Sequence, residues 1–476
     1  MMKQILALIL SLSLVTAPMA ADLPDLGDVA TTALSPMAEK RLGESIMQQI
    51  RWRDASYLND PEIEDYVNRL GMRLVAASDE PDRSFDFFVL KDSTLNAFAL
   101  PGGYIGLHSG LIQAAQSESE LASVVGHEIA HVTQRHIAQL FGKQSQMGMV
   151  MLASILVAIL AARSNADLAQ AAIASGQAGA IQSQLGYTRA FEREADRIGL
   201  QTLENAGFDT RGMPSFFERL QRESRLYENN APGYLRTHPL TEERIADMGN
   251  RVDQTPYRQV PDSADFGFVR AKLRASEGIA GDAVKYFEAR LAGSKDPANQ
   301  YGYLRALLRA NQVDRAAAGL ETLRASAAPS TFIERLAADI ELERKNPRGA
   351  VALLESALKR FPGSMPLQYA LIDALLQAGD TAEAATLARD GALRHPGDVN
   401  LWALSSRAEA ERGRMTAHHR AQAEVYVRRG SLPAAIEQLE SARRANDGDF
   451  HELSAVDARM RELKTELRIR REESER

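Results

Sequence analysis

Two histidines four residues apart with a glutamate between them, His127-Glu128-Ile129-Ala130-His131, are the residues of this chain best placed to do chemistry. On a helix, positions four apart lie about one turn apart on one face, so both imidazoles can reach one metal ion. Glu128 points nearby, where its carboxylate can take a proton from a water that the metal has acidified. The pattern H-E-x-x-H thus brings together a zinc ion, a nucleophile and a reaction class, peptide hydrolysis. The run Leu121 to Gly126 ahead of it is small and apolar, and Ile129 and Val132 continue a buried stripe at helical spacing. Ser117 with Glu120 predicts a capping box at the start of that helix. Unpaired buried polar groups are costly, which favours a bound metal over two core histidines satisfied by carbonyls.

A catalytic zinc site takes three protein ligands and keeps one position open. The chain has nine His and no Cys, so few candidates exist for the third ligand. His136 lies nine residues beyond His127, on the opposite face of a continuous helix, and reads as solvated or as part of a second site. A metzincin would carry a His and a Gly where this chain has Ile137 and Gln134. The stretch Phe191-Glu192-Arg193-Glu194-Ala195-Asp196 offers more. Glu192 and Asp196 share one face of a second predicted helix. Glu192 can ligate zinc while Asp196 accepts a hydrogen bond from a ligating histidine. Glu194 points elsewhere and reads as exposed. A surface helix with a charged face is the alternative for this stretch, and the upstream motif favours the ligand.

Three further stretches accompany these motifs: Asn96-Ala97-Phe98-Ala99-Leu100-Pro101-Gly102-Gly103-Tyr104-Ile105, Thr237-His238-Pro239, and Arg244-Ile245. Together they make the chain resemble the gluzincins related to HtpX and the CAAX prenyl proteases, a family with integral-membrane and periplasmic members. The resemblance implies that His127, His131 and Glu192 bind one Zn2+ per chain, with Glu128 as general base and later general acid. It places Asn96, Ala97, Phe98, Gly102 and Gly103 beside the cleft, where an edge strand pairs with an extended substrate. Such pairing uses main-chain hydrogen bonds and ignores side-chain identity. His238 corresponds to a histidine near the metal. It either stabilises the oxyanion or, in a periplasmic subgroup with helical repeats, occupies the fourth zinc position and holds the enzyme off. Arg244 steadies this loop or the developing oxyanion. Read without the resemblance, Thr237 to Leu240 is an entry to a helix capped by Thr241. For that subgroup the implied clients are misfolded or stalled outer-membrane β-barrel proteins, degraded or assisted in a chaperone role. The implied partner is the barrel assembly machinery, reached through the repeats. Incomplete barrels expose unpaired strand edges, which suits an edge-pairing cleft.

The elements that must position these residues are legible in outline. Helices are expected over Pro36–Arg53 and Pro61–Ala76, and short strands over Phe85–Leu90, Asn96–Leu100 and Tyr104–Leu107, with Pro101-Gly102-Gly103 as a turn. The His127 helix then packs under this small sheet. Beyond Val260 the texture becomes Ala- and Leu-rich, and the closing prolines Pro362 and Pro396 stand one tetratricopeptide period apart. At least four such repeats are expected, stacked into a solenoid with a concave binding surface. The fold class is therefore mainly α: a gluzincin-type metalloprotease domain with a small β-sheet, followed by an α-solenoid.

Lys3, the apolar run Ile5 to Val15 and the small residues up to Ala21 describe a signal peptide over 1–21, directing the chain to the periplasm. The protease domain is expected over 22–255, the repeats over 262–458 and a charged tail over 459–476. Within the protease domain, 144–184 holds an uncharged apolar run and then Ala, Gly and Gln, and reads as a mobile helical flap with at most peripheral membrane contact. A net charge of -7 with no basic stripe argues against nucleic acid as a partner. With no cysteine there is neither a disulfide nor a lipidated anchor. The competing reading is a non-proteolytic repeat scaffold or chaperone whose zinc site is latent or structural. An intact Glu128 counts against it, since a structural site needs no general base.

Overall fold

The computed structural model describes residues 34–142, 189–226, 233–256 and 258–474. The expected signal peptide at 1–21 and flap at 144–184 lie outside the described residues. Two helices open the fold, α1 (Pro36–Arg53) and α2 (Pro61–Val75). Each begins with a proline, whose fixed φ and missing N–H suit the first helical turn. Ser35 and Asp60 cap them, the latter accepting from the Glu62 and Ile63 amides.

Three strands follow: β1 (Asp86–Leu90), β2 (Ala97–Leu100) and β3 (Tyr104–His108), in the order β1-β3-β2. β3 pairs parallel with β1 and antiparallel with β2, so β2 forms one edge of the sheet. Gly102 and Gly103 turn the chain between β2 and β3 with φ of 81° and 87°. A side chain at Gly103 would meet the Ser84 carbonyl at 2.3 Å, so only glycine fits there. Elements match the sequence expectation to within one or two residues at their ends.

After a short α3 (Ser109–Ala114) comes α4 (Glu118–Thr133), which carries the H-E-x-x-H stretch and is buried along its whole length. Its cap differs in one detail from the predicted box. Ser117 accepts from the Glu120 amide, but the Glu120 carboxylate reaches back to the Gln116 amide and also pairs with Arg219. The remaining elements of this half are α5 (His136–Gly142), α6 (Arg189–Asn205), α7 (Gly212–Leu226), α8 (Gly233–Thr237) and α9 (Glu242–Asp253).

Twelve further helices stack as six hairpins: α10 (Ala264–Ala275), α11 (Ala280–Leu291), α12 (Pro297–Arg309), α13 (Val313–Ser326), α14 (Thr331–Glu343), α15 (Pro347–Arg360), α16 (Met365–Ala378), α17 (Thr381–Arg394), α18 (Val399–Glu411), α19 (Met415–Arg428), α20 (Leu432–Arg444) and α21 (Phe450–Ser474). The charged stretch expected as a tail continues α21 without a break to Ser474. One apolar core runs from Ile63 and Val67 of α2, through Val124 and Ile129 of α4, into Phe266, Tyr301 and Phe332 of the first hairpins. Among the described residues no helix is long and apolar enough to cross a membrane.

Candidate metal centre

The site forms where α4 crosses α6. Two glycines meet at the crossing. A Cβ on Gly199 would stand 3.0 Å from the His127 Cα, and one on Gly126 would stand 3.2 Å from the Gly199 carbonyl. Only residues without side chains let the backbones come so near, and this proximity carries Glu192 and Asp196 to the histidines.

His127, His131, Glu192 and His238 each offer a ligand atom within 4.8 Å of the others, and all four are buried. The Nε2 atoms of His127 and His131 lie 3.0 Å apart. Glu192 Oε2 is 3.6 Å from His127 Nε2, and its Oε1 is 3.5 Å from His131 Nε2. His238 turns Nδ1 to the same point, 3.4 Å from His127 Nε2 and 3.1 Å from Glu192 Oε1, while its Nε2 faces Glu128 Oε1 at 3.4 Å. Its ring stacks on Tyr234 of α8, with centroids 4.6 Å apart.

Charged groups hold these donors from behind. Asp196 Oδ1 lies 3.0 Å from His127 Nδ1. Arg244 grips Asp196 with two bonds of 2.7 Å, reaches Glu192 at 2.8 Å, and donates to the Pro239 carbonyl next to His238 at 2.7 Å. Arg244 thereby fixes both the carboxylates and the loop that bears His238.

Burial and charge act against each other here. Burial pulls the His127 imidazole down, but Asp196 and Glu192 outweigh it and raise the pKa to about 9. Burial pushes Glu192 up, but His238, His127 and His131 hold its carboxyl well below the usual range. Burial likewise opposes the ionised Asp196, which Arg244 and His127 keep low. His131 is driven well down, first by burial. Glu128 goes the other way: burial raises it, against the pull of His238, His127 and the Ala99 amide of β2.

The donor set fits a divalent cation. Three imidazole nitrogens and one carboxylate converge, thiolates are absent, and the carboxylates stay ionised. Fully buried Glu128 has only the Ala99 amide of β2 and His238 Nε2, at 3.4 Å, set against its carboxylate among the described residues. Such a carboxylate costs free energy to bury unless something at the site uses it.

The remaining candidates fall around this cluster. β2 contributes Ala99 beside Glu128, and the Asn96 Oδ1 is buried without a hydrogen-bonding partner. Ala97 is fully buried in the sheet core. Phe98 packs edge-on against Phe88 and His108, over Gly106. Gly102 approaches Lys40 of α1, so the turn rests on α1. His136 departs from expectation. The helix stops at Thr133, Arg135 takes a left-handed φ of 54°, and His136 starts α5 fully buried with Nδ1 2.8 Å from His131 Nδ1. The wheel that set His136 on the far face assumed a helix that continues. Glu194, read as exposed, is half-buried and lies 3.3 Å from His136 Nε2. A left-handed arginine gave no local signal in the sequence.

Residues 61–252 match peptidase family M48, and residues 341–408 match the tetratricopeptide repeat. The chain is similar to the beta-barrel assembly-enhancing protease of Escherichia coli (strain K12), 35% identical over 435 residues that cover 90% of this chain and 88% of the relative. It is 36% identical to the putative beta-barrel assembly-enhancing protease of Vibrio cholerae over 421 residues, 87% of each chain. A shorter likeness, 30% identity over 220 residues, reaches the mitochondrial metalloendopeptidase OMA1 of Arabidopsis thaliana and covers 46% of this chain and 42% of that one.

Proposed function

The chain belongs to peptidase family M48 and is a metalloendopeptidase with tetratricopeptide repeats; from that premise we propose that its metal is zinc and that it acts on outer-membrane β-barrel proteins in the periplasm. The observation that carries the reading is the convergence of His127, His131 and Glu192 on one buried point with Glu128 beside them.

In this reading His127 and His131 ligate through Nε2 and Glu192 completes the protein's share. Zinc held there would polarise the scissile carbonyl and lower the pKa of a water. Glu128, whose burial favours its holding a proton, takes one from that water and passes it to the leaving amine. The edge strand β2, with Ala97 and Phe98 and with Asn96 just ahead of it, aligns an extended substrate by main-chain pairing, and Gly102 and Gly103 hold its turn. Asp196 keeps His127 in the tautomer that leaves Nε2 free. Arg244 positions Asp196, Glu192 and the Pro239 carbonyl.

His238 serves as a gate. Its Nδ1 stands among the donors and its ring is stacked on Tyr234, an arrangement that supports a fourth ligand over an oxyanion donor. Substrate then enters as His238 leaves.

The clients are stalled or misfolded barrels, whose open strand edges suit β2. Their degradation, the periplasmic location after loss of residues 1–21, and docking on the barrel assembly machinery through repeats at 262–458 belong to the same proposal. The relative's name, beta-barrel assembly-enhancing protease, at 35% identity supports it. The test is cleavage of a urea-unfolded outer-membrane barrel protein beside a zinc assay. Glu128→Gln should keep zinc and lose cleavage by about 100-fold or more. His127→Ala should lose both, and His238→Ala should cleave faster than wild type. Cleavage retained in Glu128→Gln refutes the mechanism. If no variant cleaves although zinc is bound, the protein is a repeat scaffold with a structural metal.

A further inference from the structure

His127 rests directly on a carboxylate, but His131 is held differently. Its Nδ1 meets a third imidazole, His136 Nδ1, at 2.8 Å, and His136 Nε2 lies 3.3 Å from Glu194 Oε2. We propose that His136 and Glu194 are positioning residues, a relay that fixes the orientation and tautomer of His131 so that its Nε2 is kept free for the metal. The inference rests on the reading that His127, His131 and Glu192 bind zinc.

Two ring nitrogens 2.8 Å apart share a single proton. His131 Nε2 faces His127 Nε2 at 3.0 Å and Glu192 Oε1 at 3.5 Å, so a ligating His131 needs its lone pair there. Its proton then sits on Nδ1 and is donated to His136. His136, accepting at Nδ1, carries its own proton on Nε2 and donates it to Glu194. Each ring's tautomer is set by the next, and the file ends on a carboxylate, as the carboxylate behind a ligating histidine does in one step.

The fold is arranged to place this ring. Arg135 adopts its left-handed φ of 54° although it is not glycine, a conformation costing about 1–3 kcal/mol. Its guanidinium is tied to the Leu34 carbonyl at 2.7 Å. The break returns the chain to the metal side, where His136 is fully buried and its ring lies on Phe191 with centroids 4.4 Å apart and planes 15° from parallel. Phe191 directly precedes the ligand Glu192, so α6 grips His136 and presents the carboxylate within one turn. Glu194, two residues on, has 41% of its side chain exposed, so the relay runs from the buried centre to the surface.

The test is zinc affinity, read by competition with a chromophoric chelator on the full-length mature protein, with urea unfolding of the metal-free protein alongside. His136→Phe keeps the ring and the stack on Phe191 but accepts no hydrogen bond. It should bind zinc about 10–100-fold more weakly while the metal-free urea midpoint stays near that of wild type. His136→Asn, whose side-chain oxygen can stand where Nδ1 stood, should recover most of that loss. Glu194→Gln, half-exposed and isosteric, should fall between Phe and wild type. Wild-type affinity in His136→Phe, with His131→Ala unable to bind, overturns the relay and leaves the metal reading intact. Equal weakening in the Phe and Asn variants also overturns it. A wild-type protein that binds no zinc overturns the metal reading and the relay with it.

Discussion

At the residue scale the centre is a set of buried charges that need one another. Asp196 and Glu192 are ionised because Arg244 and the histidines surround them, and Arg244 is held cationic by the same carboxylates. Removing one member of such a set strands the rest. Asp196→Ala leaves Arg244 with Glu192 and the Pro239 carbonyl and takes the support from His127 Nδ1. Breaking a buried pair costs about 3–5 kcal/mol, so a lowered urea midpoint is expected together with a loss of metal affinity. Unchanged stability would mean that Glu192 and the Pro239 carbonyl suffice for Arg244. The histidine pair and Glu128 were legible because their spacing is local: four residues on a helix fix a shared face whatever the rest of the fold does. Glu192 and Asp196 were legible for the same reason, but only as a face, since nothing in that spacing says which helix it meets. His136 was misread because its role depends on Arg135, a residue whose type gives no hint of a left-handed turn. His238 and Arg244 came from resemblance rather than spacing, and their place among the carboxylates is tertiary.

At the element scale the site depends on how closely α4 and α6 approach. The glycines at 126 and 199 contribute no chemistry, yet they set the distance between the two motif-bearing helices. A methyl group on Gly199 would lie 3.0 Å from the His127 backbone, and the atoms it meets are backbone that cannot rotate away. Gly199→Ala should therefore force α6 off α4, at about 1–3 kcal/mol for overpacking, against the helix propensity that alanine gains. Stability and metal affinity should fall together, since Glu192 and Asp196 ride on the displaced helix. A variant that is more stable and keeps the metal affinity of wild type would show that the helices have room. The sheet asks less of the sequence. Its strands were short apolar runs bounded by turn residues, and the turn at Gly102-Gly103 was plain in the sequence. The parallel pairing of β1 with β3 was not, because short apolar runs carry no local signal for strand order or direction.

At the scale of the whole molecule the solenoid is fastened to the protease half at both its beginning and its far end. Near the beginning, Glu62 of α2 lies against Lys272 of α10 and Arg305 of α12, which in turn pairs with Asp339 of α14. Toward the end, Trp52 of α1 stacks on Tyr426 of α19 with centroids 5.8 Å apart, and its indole donates to the Arg429 carbonyl at 2.7 Å. Between the two fastenings lies a cavity of about 600 Å³, lined by Arg51, Tyr57, Glu64 and Asp86 on one side and Tyr369 and Asp398 on the other. The Ala- and Leu-rich texture beyond Val260 is a local signal in the sequence, but a solenoid curving back onto the first helix depends on contacts between residues hundreds of positions apart. Glu64 reports on this closure. Burial, reinforced by Asp86, raises its carboxyl from 4.5 to about 7. The folded protein therefore holds a proton there that the unfolded chain has already released, so Glu64 costs stability progressively as pH rises from about 4.5 to 7. Glu64→Gln removes the charge and keeps the shape. It should match wild type near pH 4.5 and exceed it at pH 8 by on the order of 2–3 kcal/mol, read from urea midpoints at each pH. If the two proteins differ equally at every pH, the carboxyl is not desolvated and the solenoid does not close over it. If Trp52→Ala alone brings the pH profile of wild type to that of Glu64→Gln, the far fastening is what shuts water away from Glu64.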